Sequence, residues 1–229
     1  MILGNHQPYL FPYLGYWQLI NLADIYVIAD NMQYIKKGYI NRNYILSNGK
    51  PHRFTLEVRG VHLGTPINEV NVGNNTKKIL KTIFHAYTKA PYFNEVYPMI
   101  EEILLNNEKN LAKYVGYSIE KIADYLDMNT KFIYESGLEV DYSQGAQSGI
   151  INICKMLNAN QYINAIGGQE LYKKEDFEKE SIVLNFLKME EIEYKQFNDA
   201  FIPNLSIVDV MMFNGKDEIK NMLESYKLI

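Results

Sequence analysis

Alternation is the feature that most limits what this chain can fold into. Short apolar runs rich in β-branched or aromatic residues recur along it: "MILGN", "DIYVIAD", "HRFTLEV", "NTKFIYES", "NQYINAI" and "SIVLNFLKM". Between them lie stretches with helical spacing, among them "LGYWQLINLA", "TKKILKTIFHAYTKA", "FNEVYPMIEEILL", "LAKYVGYSIEKIADYLDM" and "GIINICKMLNA". Strand followed by helix followed by strand favours an α/β fold with a mainly parallel sheet and flanking helices. The spacing predicts strands near residues 1–5, 25–29, 131–135, 161–165 and 182–186, with a helical insertion at about 76–128 and one domain across 1–229. The segment from Gly38 to Gly73, with "SNGKP" and "RGVHLGTP", reads as a hairpin and loops.

Ile79, Ile83 and Tyr87, then Ile100, Ile103 and Leu104, then Leu111, Val115, Ile119 and Ile122 fall at helical spacings and are assigned to the core. The lone Cys154, set among aliphatics in "IINICKML", reads as a small buried hydrophobe and excludes an internal disulfide. No apolar run is long enough to span a bilayer, and "MILGNHQPYL" lacks the pattern of a secretory leader, so a soluble, cytoplasmic protein is expected. A formal charge of −4 argues against general nucleic-acid binding, although "YIKKGYINRNYI" is a dense local basic stretch.

Candidate site residues gather where strands are predicted to end, because ligands of open α/β sheets bind at the carboxyl edge. His6 ends the first strand and suits a general base or a phosphate donor; the alternative is a loop-capping role. Pro8 and Pro12 stiffen the loop that carries Gln7 and Tyr9. Asp30 ends the second strand with Gln33 three residues on, so Asp30 either orients an amine, hydroxyl or Mg²⁺ or simply caps the turn. Asn41, Arg42 and Asn43 offer a polar triplet, with the two asparagines on one face and Arg42, a bidentate anion anchor, on the other. Gly167, paired with Gly168, permits positive φ and close backbone approach to a ligand, or merely forms a turn. Ser206 and Asp209 read as a helix cap with its three-residue partner. His52, His62 and His85 lack metal-ligand spacing, and His85 reads as a partly buried helix residue. The expectation is that His6, Tyr9, Asp30, Gln33, Asn41 and Gly167 line one concave site.

The stretch "HQPYLFPYLGYWQLINLADIYVIADNMQYIKKGYINRNYI" closely resembles the opening signature of the WbqC-like family, and "AYTKAPYF", "NANQYINAIGGQELY" and "EYKQFNDAFIPNLSIVDVMMFNG" resemble later blocks of that family, in order. The resemblance implies marked positions at His6, Gln7, Tyr9, Pro12, Gly15, Tyr16, Asp24, Asp30, Gln33, Asn41, Arg42, Asn43, Lys89, Pro91, Tyr92, Gly167, Tyr172, Gln196, Ser206, Asp209 and Gly215. It also implies a place in O-antigen or other surface-glycan assembly, as an acyl or aminoacyl (glycine) transferase or ligase forming an amide on a nucleotide-linked amino sugar. The alternative is a non-catalytic partner that binds a carbohydrate or nucleotide-sugar. A strand ending at a histidine, a glycine in the next helix and Ala-Asp before the second strand also look like the nucleotidyltransferase layout, which would bring ATP and Mg²⁺. This chain departs from that layout by having Tyr9 near the position of the second histidine.

Overall fold

The computed structural model describes residues 1–197 and 200–229. Six strands form the main sheet: β1 (Ile2–His6), β2 (Ile25–Ile28), β7 (Lys131–Tyr134), β8 (Gln161–Ala165), β9 (Val183–Met189) and β10 (Tyr226–Leu228), in the spatial order β10-β9-β8-β1-β2-β7. All neighbours are parallel except β10, which pairs antiparallel with β9. The five strands expected from the apolar runs are therefore the five parallel ones. The fold is α/β with a mainly parallel sheet.

Side chains of a strand alternate between faces, and each face here has its own core. Leu3 and Val27 enter a cluster with Ile150, Ile153, Cys154, Tyr162 and Phe177, covered by α5 (Ala146–Met156) and α6 (Lys174–Glu178). Tyr26 and Ile28 enter the larger cluster on the opposite face, with α1 (Leu14–Leu22), α2 (Thr76–Tyr87), α3 (Phe93–Leu105), α4 (Leu111–Tyr125), α7 (Ile207–Phe213) and α8 (Lys216–Leu223). Helix α1 is buried on every side from Leu14 to Ile20, as a helix between a sheet and further layers must be. The periodic core residues of α2, α3 and α4 are all buried, and burial pushes the Cys154 thiol up to about 12, so it is inert at neutral pH.

Residues between β2 and β7 form one long excursion. It holds the hairpin β3 (Arg42–Ser47) and β4 (Lys50–Thr55), the short pair β5 (Val58–Arg59) and β6 (Asn71–Val72), and then α2 to α4. The hairpin turns on Asn48 and Gly49, both at left-handed φ (50° and 68°), the two-residue geometry that matches strand twist. Among the described residues no helix is long and apolar enough to cross a membrane.

Candidate functional site

The chain leaves β1 for β2 on one side and returns later to place β8 on the other, so the sheet reverses its winding at β1. The loop after β1, residues 7–13, lies at the carboxyl edge of that central strand. Its backbone is unusual. Phe11 takes φ 49°, a left-handed conformation costly for a bulky residue. Two buried side chains hold it there: Asn43 Nδ2 and Ser206 Oγ both donate to the Phe11 carbonyl, at 2.7 and 2.8 Å. Trp17 Nε1 and the Ile207 amide donate to the Pro12 carbonyl, and the Leu10 amide to the Ile40 carbonyl.

On this clamped loop His6 is half-buried against the rings of Tyr9 and Tyr16, both edge-on, at centroid distances of 4.9 and 5.4 Å. His6 Nδ1 lies 3.1 Å from the Gln7 carbonyl, which can only accept, so the proton sits on Nδ1 and Nε2 keeps its lone pair. Desolvation lowers the imidazole pKa below 6.5, against a smaller opposing effect of the Gln7 hydrogen bond. Tyr16 also donates to the Gln7 carbonyl at 2.9 Å, so Gln7 is bound through its backbone. Tyr9 continues to Tyr39, with centroids 6.1 Å apart, and a cleft of about 390 Å³ lies among Tyr9, Pro12, Tyr13, Tyr39, Asn43 and Asn204.

Parallel register fixes a second patch beside the first. His6 pairs with Ile28, and Ile28 pairs with Tyr134, so these three residues form a row across the ends of β1, β2 and β7. Asp30, just beyond β2, is buried. Its carboxylate accepts from the Ser136 amide at 2.8 Å and the Ser136 hydroxyl at 2.6 Å. It borders a cleft of about 740 Å³ whose other walls include Glu108, Lys113, Tyr117, Glu120 and Tyr134. Burial and the neighbouring Asp124 charge raise the Glu120 pKa, and burial together with the Glu120 and Asp30 charges raises that of Tyr134. Three carboxylates against one lysine, between two tyrosines, make a cleft that favours a cation.

The expectation of one concave site is corrected. Tyr9 borders the aromatic cleft, Asp30 the acidic one, and Gln33 a third with Ile35 and His62. The reason is the excursion after Asp30, whose first residues turn outward and pair with residues 62–67. The Tyr34 amide donates to the Thr65 carbonyl, and the Ile67 amide to the Met32 carbonyl.

Asn41 is occupied internally, accepting from Tyr34 Oη and donating to the Leu56 carbonyl. Arg42 spends its Nε on the Gly38 carbonyl at 2.7 Å. Gly167 lies exposed in a 3-10 turn without left-handed φ, and a Cβ there would meet nothing within 4 Å. Close approach belongs instead to Gly168, where a Cβ would lie 2.6 Å from Asn164 Nδ2. His85 is exposed on α2 rather than partly buried, because it falls on the face opposite Ile79 and Ile83.

Ser206 caps α7, accepting from the Val208 amide, but Asp209 does not reach back to it. Asp209 is fully buried and accepts from Tyr87 Oη (2.6 Å), Tyr194 Oη (2.7 Å) and Gln196 Nε2 (2.9 Å). Burial raises its pKa in spite of these three donors. A lone acid inside the apolar run "SIVDVMMF" was the signal for it. The Tyr134–Ser136 segment was missed, although it ends the "NTKFIYES" strand as His6 ends the first.

Among the described residues no group of three His, Cys, Asp or Glu side chains is placed to hold a metal ion. No solved structure matches the chain. An uncharacterized protein of Mycobacterium tuberculosis, Rv1507c, is 25% identical over 217 residues, covering 92% of this chain and 93% of that protein. The WbqC-like protein family matches residues 7–221, nearly the whole length, and the chain belongs to that family.

Proposed function

We propose that the protein is an acyl or aminoacyl transferase or ligase that forms an amide on an amino sugar, carried on a nucleotide, in surface-glycan assembly. The observation that carries this reading is the cleft at the ends of β2 and β7, where Asp30, Glu108 and Glu120 stand among Tyr117 and Tyr134. Carboxylates attract an ammonium group, and tyrosine faces suit both a cation and the C–H surface of a sugar. An amine must lose a proton to attack an acyl carbon. His6, at the neighbouring strand end and outside the walls of that cleft, is neutral at pH 7, and its Nε2 lone pair takes the proton of an amine that bridges the two strand ends. Asp30, locked by Ser136, orients the amine. A non-catalytic sugar-binding role is the second reading, favoured by one observation: the cleft among Tyr9, Tyr13 and Tyr39 offers aromatic faces to a sugar ring and, among the described residues, borders no carboxylate or histidine.

Mass spectrometry of the purified protein with a nucleotide-linked amino sugar, glycine, ATP and Mg²⁺ separates the two. Gain of one glycyl residue by the sugar, lost in His6→Ala, is the expected result. Sugar binding with no change of mass would replace the transferase reading by the binding one.

A further inference from the structure

The loops that carry Gln33 away from the site expose large apolar side chains. Leu63 is 98% exposed, Ile35 52%, Tyr39 51% and Met32 37%. Leu63 does not dangle: the His62 amide donates to Thr65 Oγ1, Gly64 takes left-handed φ (82°), and Gln33 bridges to Pro66, so the turn is built and presents the leucine outward. Ile35, Lys36, His62 and Leu63 border one shallow cleft of about 290 Å³.

The surrounding charge is opposite to that of the whole chain. The loops at 31–39 and 60–65 hold Lys36 and Lys37 and no acid, a local +2 in a chain of −4. Lys36 and Lys37 stand exposed beside Ile35. Aliphatic tips flanked by lysines, with a tyrosine at the margin, match the chemistry of a bilayer whose headgroups are anionic. Phosphate backbones of nucleic acids would use the lysines but leave Leu63 and Ile35 in water.

We propose that the paired loops 31–39 and 60–65 dock this protein on an anionic membrane surface, Leu63, Ile35 and Met32 entering the acyl boundary while Lys36 and Lys37 meet lipid phosphates. The inference is independent of the amide-forming reading. It is tested by co-sedimentation of the full chain with phosphatidylcholine vesicles, with and without phosphatidylglycerol. Binding is expected only when phosphatidylglycerol is present. Leu63→Ser with Ile35→Ser should weaken it by about tenfold or more, since two aliphatic side chains lose their burial. Lys36→Glu with Lys37→Glu should weaken it at least as much, each lysine near such a surface contributing roughly fivefold. Val183→Ser, which removes an exposed apolar side chain at the amino end of β9, should change nothing. These variants alter exposed residues, and thermal melts verify that they fold. No sedimentation with phosphatidylglycerol overturns the proposal, and so does binding that is indifferent to Leu63 and Ile35. Retention on an RNA oligonucleotide without vesicle binding also overturns it, assigning the basic surface to nucleic acid.

Discussion

His6 holds its proton less tightly in the folded protein than in the unfolded chain. The sign follows from linkage: stability is full above the ordinary value of 6.5 and falls as pH drops below it, where the unfolded state gains a proton that the folded state resists. A histidine resonance titrating below 6.5 by NMR, and a smaller loss of stability between pH 7 and pH 5 in His6→Gln than in the parent, would bear this out. Asp209 behaves in the opposite sense. Its raised pKa means that ionisation costs stability as pH rises from the ordinary carboxylate range through the folded value, and three donors limit that cost. Removing the carboxylate is far worse than ionising it, because Tyr87, Tyr194 and Gln196 would be left with unmatched hydrogens inside the core. Asp209→Ala should lose about 3 kcal/mol or more by urea denaturation. An unchanged midpoint would show that water replaces the acid.

Elements, rather than single residues, hold the β1 loop in its strained form. Strand β3 sends Asn43 and the start of α7 sends Ser206 to one carbonyl, so the two bonds are not independent. Asn43→Ala and Ser206→Ala should each cost about 1–2 kcal/mol. A double-mutant cycle should give a coupling energy, since the loop that has slipped one clamp gains little from the other. Strict additivity would mean that the loop is held elsewhere. Helix α4 supports the acidic cleft in a comparable way. A Cβ at Gly116 would fall 2.0 Å from Tyr134 Oη, so the glycine makes room for the tyrosine that walls the cleft. Gly116→Ala should displace Tyr134 and reduce turnover or amine binding more than it lowers the melting temperature. Strands and long helices were legible in the sequence because each carries its own period: "DIYVIAD" and "TKKILKTIF" declare themselves locally. The site was legible only in part. His6 and Asp30 follow from the rule of strand ends, whereas the roles of Asn43 and Ser206 depend on contacts with Phe11 across 32 and 195 residues, which no local pattern encodes.

Across the whole molecule the order of strands sets where stability lies. Strand β1 has neighbours on both sides and a core on each face, while β10 pairs with β9 alone. Amide exchange should therefore be slowest at Leu3 to Asn5 and much faster at Tyr226 to Leu228. Equal protection of both would contradict the architecture. Strand order and the antiparallel β10 were absent from the sequence reading, since "YKLI" is too short to show a period. The row of His6, Ile28 and Tyr134 has a consequence in length. Adjacent strands stand about 4.8 Å apart, so the backbones at the two ends of that row are separated by roughly 10 Å. That interval is fixed by hydrogen bonds of the sheet and does not adjust to a guest. On the proposed amide-forming reading that edge is a calliper: a free amino acid would fit under one jaw, and only a longer molecule, on the scale of a substituted sugar ring, would touch both. Ligands of graded length with the same two end groups should show affinity rising in a step near that span rather than smoothly.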